Sequence, residues 1–220
     1  MTENMGDLNR EFDQPTKEHL KKEQIQKKHL EFSGKSRNCC VCIVDIVGST
    51  KLVSEIPMSK TSVFYSTFLN SMVDVVEQNG GKIVKSIGDA LLFYFDDSVA
   101  EDYPRNVLIC GLDMIASRDK VNSVLHAEGL PPINYRISSD FGTVMIGHSS
   151  LSAAEDIFGP TVNISSKINP LGYSNGMVIG NNFYLIAKLL HGFKFDEIKY
   201  NPFTGLKNNY GIFDVKENDN

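Results

Sequence analysis

The order of apolar runs and turn residues predicts an α+β fold: a ferredoxin-like βαββαβ core with an antiparallel sheet and C-terminal additions. Three observations carry this. Apolar runs of strand length alternate with runs of helical period from Cys39 onward. Glycine, proline and small polar residues separate them. Two runs, "KIVKSI" and "ALLFYF", are joined by Gly88 and Asp89 alone, which marks a hairpin.

Each element can be justified in turn. "CCVCIVDIV", residues 39–47, is a continuous apolar run and reads as a buried strand. It ends at "GST", a turn that starts a helix with Ser49 or Thr50 as cap. "SKTSVFYSTFLNSMVDVVEQ" has helical period, with Val63, Phe64, Phe68, Met72, Val75 and Val76 on one side, and "NGG" stops it. After the hairpin a helix is predicted over roughly Ser98 to His126, ending before "GLPP". "INYRISSDF" and "TVMIGH" read as two strands with Gly142 between them. A short helix fits "TVNISSKIN", ended by Pro170 and Gly172. "GMVIG", "FKFDEIK" and "YGIFDV" are late strands around a helix in "NNFYLIAKLL". The helices are expected on one face of the sheet.

Residues 37–220 form the predicted domain. Residues 1–36 are rich in Lys, Glu and Gln, and Leu20, Ile25, Leu30 and Phe32 make only a weak helical stripe. This segment reads as a solvated tail or frayed helix, or else as a short dimer-linking or regulatory helix.

Composition narrows the function classes. The longest apolar runs are too short to span a bilayer, and the N-terminus lacks the apolar core of a signal peptide. The expectation is a cytoplasmic protein with no membrane partner. A net charge of −5 disfavours a nucleic-acid backbone as partner. Of the four cysteines, Cys39, Cys40 and Cys42 open a strand and lack a second pair at metal-finger spacing, so reduced, buried thiols are expected.

The residues with chemistry stand out against apolar surroundings. Asp45 sits in "VCIVDIVGST" and Asp89 at the hairpin tip. A strand end and an adjacent hairpin tip can bring two carboxylates together, where they repel unless a proton or cation lies between them. Mg²⁺ is content with a couple of carboxylates plus phosphate oxygens. Taken singly, Asp45 is equally a helix cap and Asp89 a turn residue. Gly48, Ser49 and Thr50 lead into a helix N-terminus, which presents N–H groups to an anion such as a triphosphate. Asn163 and Lys167 are four apart and share a helix face, as site residues or as plain surface.

Together, "VDIVGST", "KSIGDALLF", "YRISSDFGTVMIG" and "DIFGPTVNISSK" resemble, in order and spacing, the catalytic domain of the class III nucleotidyl (adenylate/guanylate) cyclases, from about residue 38 to 215. The resemblance implies a head-to-tail homodimer with active sites at the interface and ATP as substrate. One subunit would hold two divalent cations, Mg²⁺ or Mn²⁺, through Asp45, Asp89 and the Ile46 backbone. The other would supply Lys85 and Asp156 to read the base, Asn163 to orient the ribose and Lys167 to meet charge at the α-phosphate. Lys207 in "TGLKNNYG" is the candidate for the terminal phosphates. Adenine offers an acceptor at N1 and an amino donor at N6, which a lysine and an aspartate satisfy, while guanine presents the reverse. The chain departs from the family at Lys167, where arginine is usual, and at Ser138 and Asp140, which replace a glycine and a histidine. Lys167 leaves open a weak or inactive nucleotide-binding sensor module, and guanylate cyclase activity is the other alternative.

Overall fold

The computed structural model describes residues 30–98, 102–149, 155–199 and 210–218. Its centre is β1 (Leu30–Ile46), which pairs antiparallel with β3 (Ala90–Asp96) on one side and β4 (Tyr135–Ser149) on the other. β2 (Lys82–Ile87) forms the hairpin with β3, closed at Ile87 opposite Ala90. The strand order β2-β3-β1-β4 is that of a βαββαβ sandwich. β6 (Gly176–Gly180), β8 (Ile212–Glu217) and β7 (Phe193–Glu197) extend it beyond β4. Pairing is antiparallel except between β4 and β6.

The strand period of two sorts β1 between two cores. Cys40, Cys42, Val44 and Ile46 face the larger core, built against α2 (Met58–Gln78), α3 (Tyr103–Ala127) and α5 (Asn181–Ala187). In α2, Phe64, Phe68, Met72 and Val76 recur every four residues and are fully buried, each worth about 1.5–3 kcal/mol of apolar burial. Val63 and Val75 are only partly buried at the rim of that stripe. Cys39, Val41 and Ile43 point the opposite way, into a smaller cluster with Leu92, Val144 and Ile157. All four cysteines are free and buried, and burial pushes the Cys39 and Cys42 thiols up to about 12.

Three local readings change, and one strand is added. Gly142 is no turn: β4 runs unbroken through it. A Cβ there would lie 2.5 Å from the Thr161 hydroxyl oxygen, so glycine serves a close approach inside the strand. α1 (Ser49–Glu55) begins at Ser49, and its cap is Gly48 rather than Ser49 or Thr50. The sharp exit from β1 puts Gly48 at φ 70°, a left-handed conformation that glycine tolerates. Residues 155–158 form β5 (Glu155–Phe158), paired to the far half of β4. α4 (Pro160–Ile168) packs on the sheet face opposite α2 and α3, where Ser165 Oγ donates to Val41 O at 2.9 Å. A 3₁₀ turn over Asn169–Leu171 follows, and the buried Asn169 amide donates to Ile43 O and Arg136 O, both at 3.2 Å.

β1 also starts earlier than the predicted domain. Leu30 to Phe32 pair with Ser149 to Gly147, so they lie in a strand and not in a helical stripe. Helix α3 starts at Tyr103 rather than near Ser98. Among the described residues no helix is long and apolar enough to cross a membrane.

Candidate functional site

Asp45 lies at the exit of β1, directly across from Ala90 in β3, so the hairpin tip delivers Asp89 beside it. The two carboxyls share a hydrogen bond. Burial, the Asp89 charge and that hydrogen bond push Asp45 up to about 6, against the pull of Arg136 and of the Ile46 N–H. A half-buried carboxyl that resists ionisation is one whose charge is only partly met by its neighbours. Two facing carboxylates with the Ile46 carbonyl next in the chain are a hard-oxygen donor set. A divalent cation between them would relieve the repulsion that helps to raise Asp45.

Lys85 in β2 and Asp156 in β5 form an ion pair, a second cluster on the same hairpin. β5 reaches the hairpin because the distal half of β4 carries it there. Asp156 is further held by the Ile157 N–H, which donates to its Oδ1 at 2.9 Å. The Lys85 ammonium lies 5.9 Å from the centroid of the Phe158 ring, within cation–π range. The pair is therefore a donor and an acceptor fixed side by side, with Lys85 45% exposed and Asp156 20%.

Asn163 and Lys167 are exposed one turn apart on α4. Gly48 ends the turn into α1 and Ser49 and Thr50 are its first residues, with the Lys51 and Leu52 N–H groups bonded to Gly48 O at 3.1 and 3.3 Å. Lys207 lies outside the described residues. Within one chain the structure thus brings together Asp45 with Asp89, and Lys85 with Asp156.

Sequence reasoning missed Arg136. It pairs across β4 to Asp45, donates from Nη1 to Pro170 O at 3.0 Å, and has a buried Nε without a partner. An arginine near the start of a strand carries no signal that separates it from a surface position. Ser138 and Asp140 now have a physical account. Ser138 Oγ donates to Ser165 O at 2.8 Å and so anchors α4. Asp140 is fully buried, accepts the Phe183 N–H at 3.1 Å and the Tyr210 hydroxyl, and so caps α5. Burial pushes its carboxyl up, and those hydrogen bonds pull it back.

The family model for the adenylate and guanylate cyclase catalytic domain matches residues 32–214. A cytidylate cyclase of Staphylococcus aureus is 23% identical over 191 residues, covering 82% of this chain and 45% of that protein. An adenylate cyclase of Streptomyces coelicolor is 25% identical over 147 residues, covering 67% of this chain and 33% of that protein. The chain thus spans less than half the length of these relatives. The crystal structure of the adenylyl cyclase CyaB from P. aeruginosa superposes with a TM-score of 0.75 at 20% identity, covering 84% of this chain and 96% of that one.

Proposed function

The chain belongs to the adenylate and guanylate cyclase catalytic domain family, and we propose that it is a cytoplasmic adenylate cyclase, converting ATP to 3′,5′-cyclic AMP and pyrophosphate at the interface of a head-to-tail homodimer. The observation that carries this reading is the Asp45–Asp89 pair, two carboxyls held face to face at the exit of a central strand.

Asp45, Asp89 and the Ile46 carbonyl would hold two divalent cations, Mg²⁺ or Mn²⁺, which when bound neutralise triphosphate charge and acidify the ribose 3′-hydroxyl. In the reaction the 3′-oxygen bonds to the α-phosphorus, the bond to the β-phosphate oxygen breaks, and the hydroxyl proton leaves to solvent. The chain's own residues bind and orient. Gly48, Ser49 and Thr50 flank the triphosphate, with Lys207 the candidate for its far end. Asn163 of the second subunit holds the ribose, and Lys167 meets the charge growing on the α-phosphate. Positioning and charge stabilisation supply most of the catalysis in phosphoryl transfer.

The relatives are named for different bases, so the choice of ATP rests on this chain's own Lys85–Asp156 pair. It complements the N1 and N6 edge of adenine and leaves unpaired groups against guanine. Incubation with ATP and GTP separately, each with Mg²⁺ and with Mn²⁺, tests the proposal. Cyclic AMP in excess over cyclic GMP is expected. No cyclic AMP with either metal at high enzyme concentration overturns it.

Lys167 motivates a second reading, a domain that binds nucleotide without turning it over. Lysine is a point charge and lacks the two-pronged contact that arginine makes with phosphate. Tight ATP binding by calorimetry with no product would favour that reading over the first.

A further inference from the structure

Lys85 and Asp156 read a pattern, and a pattern belongs to more than one base. The ammonium donates only, and the carboxylate accepts only. Fixed side by side, they satisfy an edge with a bare ring nitrogen next to an exocyclic amine. Adenine shows that edge at N1 and N6. Cytosine shows the same edge at N3 and N4. Guanine and uracil both reverse it, with a ring N–H beside a carbonyl oxygen.

Nothing in the pair measures the size of the ring behind that edge. Within one chain Lys85 and Asp156 are 45% and 20% exposed, and the pair by itself builds no closed slot around a ring. Lys85 is a flexible four-carbon arm that can follow an edge displaced towards the ribose. Size differences in a pocket discriminate by about 10–200-fold, whereas a site built on hydrogen bonds rejects a mismatched edge by far more.

We propose that the site selects the amino edge rather than the purine, and that the protein cyclises CTP as well as ATP while rejecting GTP and UTP. The inference rests on the cyclase reading above. Its chemistry needs no further reactant. The 3′-oxygen of CTP bonds to the α-phosphorus, pyrophosphate leaves with the electrons of the broken bond, and the hydroxyl proton passes to solvent.

The test is turnover of ATP, CTP, GTP and UTP by the full chain with Mn²⁺, reading cyclic product and pyrophosphate for each. CTP should fall within about 100-fold of ATP in kcat/KM, with GTP and UTP at least about tenfold below CTP. Product from ATP, with CTP no better than UTP, overturns this inference and leaves the cyclase reading standing. No cyclic product from any of the four overturns both. An Asp156→Asn variant adds a second readout, because the amide can turn its N–H₂ to a carbonyl. The ATP:UTP and CTP:UTP ratios should fall together, by about tenfold or more. Equal loss on all four nucleotides would show that Asp156 reads no edge.

Discussion

Replacing Asp89 by asparagine should stabilise the metal-free protein at neutral pH and do little in acid. Asp45 is raised from the ordinary 3.8 to about 6 by burial, by the Asp89 charge and by the hydrogen bond between them. A carboxyl raised in the folded state gives stability that is whole below its unfolded value and is lost as pH climbs through the folded one. The loss therefore runs from about pH 4 to about pH 6, and its full cost above that window is about 3 kcal/mol. Burial is the largest cause and persists in the variant, and solvent screens a partly exposed group. The share that Asp89 adds is then about 1 kcal/mol, or a rise in Tm of about 2–4 °C for a chain of this size. Thermal unfolding in EDTA at about pH 7.5 and about pH 4.5 reads it. The rise should appear at the higher pH and shrink towards zero at the lower. Equal shifts at both pH values, or a fall at the higher, would refute the idea that the two carboxylates repel. Excess Mn²⁺ should raise the Tm of the wild type more than that of the variant, because the cation relieves the same repulsion.

Three further outcomes follow from the site and its supports. Mixing inactive Asp45→Ala and Asn163→Ala proteins should restore about a quarter of wild-type cyclase activity, since half the dimers are mixed and each has one intact site of two. No recovery, with mixed dimers confirmed, argues against shared sites. Lys167→Arg should raise kcat about tenfold with little change in KM, because the gained contact forms on the reacting phosphate; a change confined to KM would count against that role. Gly142→Ala should cost about 1–3 kcal/mol in denaturant unfolding, since its Cβ meets the Thr161 hydroxyl oxygen at 2.5 Å. Adding Thr161→Ala should recover most of the loss, and no recovery would place the strain elsewhere.

The order of elements was legible because each core run carries its own period. The four-residue recurrence of Phe64, Phe68, Met72 and Val76 across a run too long for an ordinary strand reads as a helix face, and the two-residue join at Gly88-Asp89 reads as a tight hairpin. What failed to show was anything set by a distant neighbour. Gly142 looks like a turn until Thr161 is seen against it. Residues 155–158 lack strand alternation and become a strand through pairing with β4. The side of the sheet that α4 takes depends on Ser138, Ser165 and Asn169 meeting buried carbonyls of β1, β4 and α4 itself. Polar groups that satisfy a buried backbone carry no period, so a one-dimensional pattern passes over them.

The site divides along the same line. Asp45 and Asp89 could be singled out because each interrupts an apolar run, and a charge there has to be explained. Arg136 lies near the start of a strand, where a charged residue is ordinary, yet it stands across from Asp45 and draws that carboxyl down. An arginine there tempers the repulsion between the two acids without meeting it in full, since Asp45 stays near 6. The β2–β3 hairpin is where the two clusters become one device. Asp89 at its tip faces Asp45 of its own chain, while Lys85, four residues back, is tied to Asp156 on a different strand. In a head-to-tail dimer one hairpin would then serve two active sites, metal in one and base in the other. A substitution in this hairpin that loosens its register should damage both functions at once.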